Sequence, residues 1–311
     1  MKICSLLPSA TEIVFALGLG DQLVAVTHEC DFPPEAARLP VVTRSTLGEG
    51  ARGSRAIHHH IATALHAGSS VYALDQDLLE RLGPDLILTQ ELCDVCAVSY
   101  DLVQQAAQRL EGERKILSLE PTTLDGVLAT ILRVGEAAGV PDRAARVVAE
   151  LRQRTDAVVA RARSAPGRPR VFAMEWLDPP FTAGHWVPEM VRLAGGSDDL
   201  AHEGRPSSRI PWARIAEYDP EIVVLMPCGF TLERTVEEAA RVDLPGEWSR
   251  LGAVRSGEIY AVNGSAYFNR PGPRIVDGLE ILAQIIHPEV FPPTMAPGGW
   301  RRLPENFPAR R

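Results

Sequence analysis

The chain has 311 residues, of which 45% are hydrophobic and 23% are charged. This composition is ordinary for a folded protein, and the length suits two domains better than one small core. A formal net charge of −8 argues against nucleic acid or anionic lipid as the main partner. Since no apolar run approaches the ~20 residues that a membrane helix needs, we expect no membrane insertion.

The first element begins almost at the first residue. A strand-like stretch over residues 2–7 follows Met1, and Ser9 and Glu12 then have the spacing of a helix capping box. A signal peptide would need a basic segment, an apolar segment and a cleavage site before the fold starts. We therefore expect a cytoplasmic protein with reduced cysteines, and a periplasmic or cell-surface one only if the true start lies upstream.

The first half of the chain alternates short apolar runs with helical patterns. Strands are predicted at residues 24–27, 71–74, 85–89 and 115–119, and helices at 57–65, 77–82 and 100–110. The Gly-, Ser- and Arg-rich stretch 44–56 is predicted to be a loop. Such alternation favours a parallel sheet.

A long helical pattern follows and separates the two halves of the chain. Apolar residues keep helical spacing from 124 to 163, with one break near residues 139–141, and a continuous helix of that length would span roughly 60 Å. After a Pro- and Gly-containing linker at 165–169, strands are predicted at 171–174, 222–226 and 258–262. A helix is predicted at 275–286, and a proline-rich tail follows.

Two segments of the chain repeat one pattern. The run from Leu82 to Thr89 reads LGPDLILT and the run from Tyr218 to Leu225 reads YDPEIVVL, with their prolines 136 residues apart. A repeat across half the chain predicts two similar lobes and a cleft for a ligand between them. We therefore predict an α/β fold with two similar Rossmann-like lobes and parallel sheets, joined by one long rigid helix. The predicted parts are an N-terminal lobe at 1–123, the connecting helix at 124–165, a C-terminal lobe at 166–290 and a tail at 291–311.

Candidate ligand-binding residues lie where the predicted strands end, because parallel sheets gather ligands at the carboxyl ends of their strands. In the first lobe these residues are polar, and in the second lobe most are aromatic. An aromatic set beside an arginine suits a planar or amphipathic ligand. The candidates are His28, Glu29, Gln90, Glu91, Trp176, Phe181, His185, Trp186, Phe230, Tyr267, Phe268 and Arg270.

Four of the five cysteines also follow strand ends: Cys30, Cys93, Cys96 and Cys228. Cys93 and Cys96 have the spacing of a redox dithiol or of half a zinc site. Three interpretations stay open: thiols that pack loop turns, a dithiol redox pair, and a metal or thiol-reactive site. The last would have to recruit Cys30, Cys228, His28 or His185 from separate loops.

Four sequence motifs resemble one family of binding proteins. They are LLPSATE at residues 6–12, DPPFTAG at 178–184, RIPW at 209–212 and YFNRPGPR at 267–274. Together they resemble the iron-siderophore and vitamin B12 substrate-binding proteins of ABC importers, over residues 2–288. The resemblance implies two α/β lobes bridged by a rigid helix, and a ligand held between them without covalent chemistry.

The chain also departs from the pattern of that family. Where the vitamin B12-binding members carry first-lobe aromatics, this chain has Glu29, Leu74 and Gln90. The family's paired glutamates, which dock the binding protein onto its transporter, do not map onto Glu91 or onto a position in the second lobe. The resemblance thus implies a corrinoid-type ligand and leaves an ABC permease as the candidate partner.

We therefore expect a non-enzymatic, monomeric, cytoplasmic protein that needs no cofactor and binds cobalamin, another corrinoid or a related metal-chelate. Aromatic rings would pack on the ligand, Arg270 would pair with a polar edge, and His28, His185 or a thiolate would reach its metal. The alternative is a metal- or thiol-dependent enzyme or a metal sensor. It would use Cys93 and Cys96 with a bound metal ion on a repurposed binding fold.

Overall fold

The computed structural model describes residues 1–46, 53–66, 71–91, 100–108, 114–291, 299–304 and 307. The chain divides into two compact units. The first comprises Met1–Arg52, Ala56–Pro121 and Asp125–Glu150, and the second comprises Gly53–Arg55, Thr122–Leu124 and Leu151–Arg311. The predicted α/β fold with parallel sheets is confirmed. Of the helices in the described ranges, none is both long and apolar enough to cross a bilayer.

The first unit is built on a four-stranded parallel sheet with the order β2-β1-β5-β6. Two further strands, β3 and β4, form a separate antiparallel pair. The core of this unit includes Cys4, which is fully buried, as its position inside a strand predicts. The strands are β1 (Ile3–Ser5), β2 (Leu23–Val26), β3 (Thr43–Ser45), β4 (Tyr72–Leu74), β5 (Leu86–Thr89) and β6 (Lys115–Ser118). The strand β3 overlaps the stretch 44–56 that the sequence predicts as loop, at Arg44 and Ser45.

The helices of this part of the chain are α1 (Pro8–Ala16), α2 (Ser54–His66), α3 (Gln76–Leu82) and α4 (Tyr100–Gln108). The predicted capping box at the start of α1 is wrong. The N-cap is Leu7, and it makes no capping hydrogen bond through its side chain. Proline fits the first helical position because its fixed φ is already helical, so the helix begins at Pro8 and takes Ser9 into its first turn.

The predicted connecting helix is two helices, α5 (Leu124–Ala137) and α6 (Pro141–Ala162). The break between these helices falls near residues 139–141, as the sequence predicts. Gly139 has a φ of 73°, which only glycine adopts readily, and α6 then starts with proline. The prediction of one continuous helix over 124–165 is therefore wrong. The prediction that most of this segment is helical is right. The boundary between the two units falls within α6, between Glu150 and Leu151.

The second unit contains a five-stranded sheet with the order β11-β10-β9-β7-β8. Its three central strands are parallel, and both edge strands run antiparallel to their neighbours. The strands are β7 (Val171–Trp176), β8 (Phe181–Thr182), β9 (Ile222–Leu225), β10 (Ile259–Val262) and β11 (Trp300–Arg302). The edge strand β11 comes from the predicted tail, so this part of the tail belongs to the sheet.

Besides the end of α6, the described part of the second unit contains the α-helices α7 (Val187–Leu193), α8 (Trp212–Tyr218), α9 (Leu232–Arg241), α10 (Gly252–Ser256), α11 (Gly264–Tyr267) and α12 (Ile275–Ile286). Helix α12 is tied to α6 through Arg154. Its guanidinium donates to both carboxylate oxygens of Glu280, at 2.9 and 2.7 Å, and also to Asp277. A planar guanidinium suits such a fork of carboxylates better than a lysine would.

The repeat in the sequence corresponds to a repeat in local structure. In both copies a helix ends at a residue with left-handed φ, which is 55° at Gly83 and 46° at Asp219. A proline follows, and the next strand, β5 or β9, begins two residues after it. The acidic residue between proline and strand accepts a backbone hydrogen bond from the residue before the first strand of its unit: Lys2 donates to Asp85 and Arg170 donates to Glu221.

Asp219 occupies a left-handed position that glycine usually fills. Its side chain explains the exception, because Asp219 Oδ1 accepts a hydrogen bond of 2.6 Å from the amide of Gly252. That amide opens helix α10, where a carboxylate is favourable. The second copy thus replaces the conformational freedom of Gly83 with a hydrogen bond that starts another helix.

Candidate ligand-binding site

The carboxyl ends of β7, β9 and β10 lie along one edge of the second sheet, because these strands are parallel. The residues that follow them carry the aromatic side chains that the sequence singles out. Trp176 ends β7, and its ring centroid lies 5.4 Å from that of Phe230, which follows β9, with the planes at 67°. This edge-to-face contact is a favourable aromatic geometry.

Phe230 is the buried member of this aromatic pair. The Phe230 side chain is only 2% exposed, and the guanidinium carbon of Arg234 lies 3.9 Å from its ring centroid. Contacts with both the cation and the indole hold the phenyl ring in place. Phe230 therefore positions a neighbouring ring in this structure, and its predicted contact with a ligand stays a prediction.

The indole of Trp176 is also held through its nitrogen. Trp176 Nε1 donates a 3.2 Å hydrogen bond to the carbonyl oxygen of Ser54. The amide of Ser54 in turn donates to the buried carboxylate of Glu238 at 2.6 Å, and Arg55 pairs with Asp178 at 2.7 Å. Residues 53–55 thus pack as part of the second unit, and Trp176 has a fixed orientation that the sequence pattern does not reveal.

Phe181 is the neighbour of Trp176 across the sheet. The two residues face each other in the antiparallel register of β7 and β8, and both are partly exposed. Tyr267, at the end of α11, is partly exposed too. These three residues are the predicted second-lobe aromatics whose rings remain accessible.

Trp186 and Phe268 have a different environment. The Trp186 side chain is 7% exposed and Phe268 is fully buried, and Trp186 Nε1 donates a 2.8 Å hydrogen bond to the Phe268 carbonyl. Both rings belong to the packed interior in this structure. Arg270, 8% exposed, lies just beyond them in the chain, and the ligand contacts expected of these three residues stay predictions.

His185 has a strained backbone and a buried ring nitrogen. Its φ is 53°, its amide donates to the Arg205 carbonyl at 2.6 Å, and its carbonyl accepts from Gly204 at 2.8 Å. Nδ1 is buried, with no hydrogen-bond partner among the described residues. Burial lowers the pKa of His185, which favours the neutral form of the imidazole.

Glu175 is a residue of this edge that the sequence analysis does not select. Its carboxylate accepts a 3.0 Å hydrogen bond from the amide of Gly184, two residues after β8. Burial raises the pKa of Glu175, while the hydrogen bonds from Gly184 and the Ser207 side chain act in the opposite direction. Its position could have identified Glu175, because it lies at the carboxyl end of β7, where ligand-binding residues are expected, as Trp176 does.

In the first unit, the predicted polar residues follow β2 and β5, which flank β1 in the parallel sheet. His28 is held by Thr43: its Nδ1 lies 2.7 Å from Thr43 Oγ1, and its backbone amide donates to the same oxygen at 3.1 Å. His28 Nε2 lies 3.4 Å from Glu29 Oε1. Gln90 is 8% exposed and Glu91 is exposed.

The cysteines form no metal site that can be recognised in the described part of the chain. Cys30 is buried with its sulfur 3.0 Å from Thr11 Oγ1, and Cys228 is exposed in the other unit. Among the described residues there is no group of three or more His, Cys, Asp or Glu side chains that could hold a metal ion. Cys93 and Cys96 lie outside the described residues, so the predicted dithiol or metal pair stays a prediction.

Two α/β units, each with parallel strands whose carboxyl ends carry candidate ligand residues, define a two-lobed binding protein. Residues 3–266 match the family described as periplasmic binding protein, and the chain belongs to that family. The resemblance that the four motifs indicate is therefore confirmed.

Two relatives are similar to this chain over most of its length. The vitamin B12-binding protein of Vibrio cholerae serotype O1 is 25% identical over 283 residues, which cover 90% of this chain and 86% of that protein. An uncharacterized ABC transporter substrate-binding lipoprotein of Bacillus subtilis, YvrC, is 26% identical over 295 residues, which cover 93% and 81% of the two chains.

Solved structures share the fold. The periplasmic vitamin B12 binding protein BtuF of Vibrio cholerae has a TM-score of 0.66 at 24% identity, covering 92% of this chain and 96% of that one. The periplasmic heme-binding protein RhuT from Roseiflexus sp. RS-1 has a TM-score of 0.68 at 21% identity, covering 93% and 98%. At these identities the likeness establishes the fold.

The expectation of a cytoplasmic location is wrong. The family is one of periplasmic binding proteins, and the relatives include a substrate-binding lipoprotein, which points to an extracytoplasmic location. The early start of the first strand was the basis for the expectation, and it does not determine the compartment. The comparisons also give no support to the alternative of a metal- or thiol-dependent enzyme, since the matched relatives are binding proteins.

Proposed function

We propose that the protein is the substrate-binding component of an ABC importer and that its cargo is a corrinoid of the cobalamin type, bound without covalent chemistry. Vitamin B12-binding proteins that are 25% and 27% identical over about nine tenths of the chain support this proposal. In this view the corrinoid is the transported ligand, and an ABC permease is the partner.

The observation that carries the proposal is the aromatic edge of the second sheet. Trp176 and Phe181 are paired across two strands, partly exposed, and Tyr267 follows the third parallel strand. Aromatic rings fixed in this way can pack on an apolar ligand face at little cost in side-chain entropy. A rigid platform of this kind suits a macrocycle that is itself rigid.

The polar candidates suit the periphery of a corrinoid. Amide side chains surround the corrin ring, and they offer both donors and acceptors of hydrogen bonds. Gln90, Glu91 and Arg270 supply complementary groups.

Substituting Phe181 tests the proposed site. We expect Phe181→Ala to weaken the binding of cyanocobalamin roughly 10- to 30-fold, since truncating a central aromatic contact costs about 1.5–2 kcal/mol. Phe181→Trp keeps an aromatic face at the same position and should bind nearly as well as the unsubstituted protein. Isothermal titration calorimetry, with the thermal midpoint of each variant measured in parallel, gives both quantities.

Two results would count against the proposal. If the unsubstituted protein gives no heat and no change in corrin absorption at high micromolar cyanocobalamin, the corrinoid is not its ligand. If Phe181→Ala binds cyanocobalamin as tightly as the unsubstituted protein, the ligand binds elsewhere on the molecule.

A further inference from the structure

Glu238 is a charged residue on the buried face of a helix. It belongs to α9, where Leu232, Thr235 and Ala239 are buried with it, and Glu238 itself is 7% exposed. A carboxylate in such a place is costly unless a donor satisfies it. The donor is the backbone amide of Ser54, whose nitrogen lies 2.6 Å from Glu238 Oε1. A hydrogen bond this short is typical of a charged acceptor.

Ser54 makes this contact through its backbone. It is the first residue of α2, and the amides of a first helical turn have no acceptor inside their own helix. Gly53, the preceding residue, has no side chain that could accept one, so a carboxylate 184 residues further along the chain accepts the Ser54 amide instead. The Ser54 hydroxyl is buried and has no hydrogen-bond partner among the described residues, so it takes no part in the contact.

The backbone of Ser54 in turn orients the indole of Trp176. Its amide is held by Glu238, and its carbonyl oxygen accepts the hydrogen of Trp176 Nε1 at 3.2 Å. Ser54 is 1% exposed, so water does not compete for either group. The nearby pair of Arg55 and Asp178 has an arginine side chain that is 75% exposed, and exposed ion pairs contribute little. Of these two contacts, the buried one with Glu238 fixes the backbone of Ser54.

We propose that Glu238 is a positioning residue for ligand binding: through Ser54 it holds the indole of Trp176 in one orientation, ready to pack on the ligand. This inference rests on the proposed function, in which Trp176 belongs to the aromatic surface that receives the corrinoid. A ring that is already oriented loses less side-chain entropy on binding than a ring that turns freely. The Glu238 carboxylate itself makes no contact with the ligand in this account.

Substituting Glu238 should therefore weaken the binding of cyanocobalamin indirectly. We expect Glu238→Ala to lower the affinity about 5- to 20-fold, because the buried Ser54 amide loses its acceptor and the indole loses its fixed orientation. Glu238→Gln keeps an oxygen that can accept the same hydrogen bond, and its affinity should stay within about twofold of that of the unsubstituted protein. Isothermal titration calorimetry measures both affinities, and the thermal midpoint of each variant shows whether it is folded.

Two substitutions at neighbouring positions are matched controls. Glu237→Ala removes an exposed carboxylate from the same helix, and Ser54→Ala removes only the hydroxyl group that has no partner among the described residues. Neither changes the contact between Glu238 and the backbone of Ser54. Both variants should therefore bind cyanocobalamin as tightly as the unsubstituted protein.

A double-mutant cycle with Trp176 separates positioning from a general loss of stability. Trp176→Phe keeps an aromatic ring but has no N–H group to donate to the Ser54 carbonyl. Because Glu238 acts through this hydrogen bond, adding Glu238→Ala to Trp176→Phe should lower the affinity by less than about twofold. A general destabilisation of the second unit would instead lower the affinity equally with and without the indole.

Fluorine NMR observes the indole directly, in the protein without ligand. Protein labelled with 5-fluorotryptophan gives a signal for each of the five tryptophans, and the signal of Trp176 is identified by its loss in Trp176→Phe. We expect Glu238→Ala to shift or broaden this signal. Glu238→Gln and Glu237→Ala should leave it in place.

The outcomes separate the two proposals. If cyanocobalamin binds, but Glu238→Ala has the affinity of the unsubstituted protein or loses as much affinity in the Trp176→Phe background, the positioning role is wrong and corrinoid binding stands. If cyanocobalamin does not bind to the unsubstituted protein, the proposed function fails, and the Trp176 signal decides whether Glu238 orients the indole. An unchanged signal in Glu238→Ala would refute that orientation as well.

Discussion

At the scale of single residues, Asp198 is a buried carboxyl group held by backbone amides. It accepts hydrogen bonds from the amides of Ala173 and Leu200, both at 3.2 Å. Burial nevertheless raises the pKa of Asp198 to about 7, because desolvation of the charged form outweighs these bonds and the neighbouring Asp199 adds repulsion. The folded protein thus keeps a proton there that the unfolded chain has already lost near pH 4.

Asp198 should make the stability of the protein depend on pH. Between about pH 4 and pH 7 the folded state binds more protons than the unfolded state, so the free energy of unfolding falls as the pH rises through this window. Asp198→Asn removes the titration and should flatten this part of the curve. It should also lose about 1 kcal/mol at low pH, because the amide keeps only one acceptor atom.

Urea unfolding at several pH values between 4 and 8 measures this effect. Asp199→Asn, at the exposed neighbouring position, is the matched control and should keep most of the slope. An Asp198→Asn variant whose stability declines with pH as steeply as that of the unsubstituted protein would contradict the assignment.

The sequence indicates which residue types lie near the strand ends, but it does not indicate which way their side chains point. Trp186 and Phe268 follow the same pattern as Phe181, yet their rings are buried, and Trp186 Nε1 donates a hydrogen bond to the backbone carbonyl of Phe268. His28 shows the converse. Its hydrogen-bond partner Thr43 is 15 residues away, on a short strand that the sequence pattern does not predict, so this contact cannot be derived without the fold.

At the scale of secondary-structure elements, strand β11 changes the interpretation of the C-terminal segment. Trp300 pairs with Val262 of β10, and its ring lies 5.6 Å from that of Tyr260 in an edge-to-face contact. Leu303 follows directly; it is 3% exposed, and its amide donates to the Ile259 carbonyl at 2.8 Å. The segment covers the edge of β10, which would otherwise expose unpaired backbone groups.

Leu303 should contribute to the stability of the second unit. We expect Leu303→Ala to lower the free energy of unfolding by about 2–5 kcal/mol, the usual cost of emptying a buried leucine site. Arg301→Ala, an exposed position of the same strand, should change it by less than about 0.5 kcal/mol. Chemical denaturation of both variants makes the comparison, and a Leu303→Ala variant as stable as Arg301→Ala would show that the segment packs only loosely.

The sequence predicts a helix or strand well when the residues of that element alone determine it, and poorly when the element depends on contacts with distant residues. Helix α12 matches its prediction because its apolar spacing and boundaries are both written in the sequence. The strands β8 and β11 were missed because two or three residues are too few for a pattern, and pairing with a neighbouring strand creates them. The break between α5 and α6 was visible at Gly139 and Pro141, but one helix was still predicted because the spacing resumes after it.

At the scale of the whole molecule, the repeat explains why the fold was predictable. In both copies a helix ends at a residue with left-handed φ, and a proline, an acidic residue that accepts a backbone amide and a buried strand follow, so the repeat predicts the two-lobed α/β fold. Family membership follows separately, from the four motifs. The location did not follow, because the compartment depends on targeting and not on the packing of the chain. The candidate ligand residues differ between the two copies, with hydroxyl, imidazole and carboxylate groups in the first unit and mostly aromatic rings in the second.

Calorimetric titration of the unsubstituted protein with three metal-chelates tests the central claim most directly. Cyanocobalamin, hemin and a ferric hydroxamate siderophore represent the ligand classes that this fold binds, and they differ in size and in the groups at their edges. The proposal predicts saturable 1:1 binding of cyanocobalamin, with an affinity at least tenfold higher than for either of the others. Saturable binding of hemin or of the siderophore, without binding of cyanocobalamin, would contradict it.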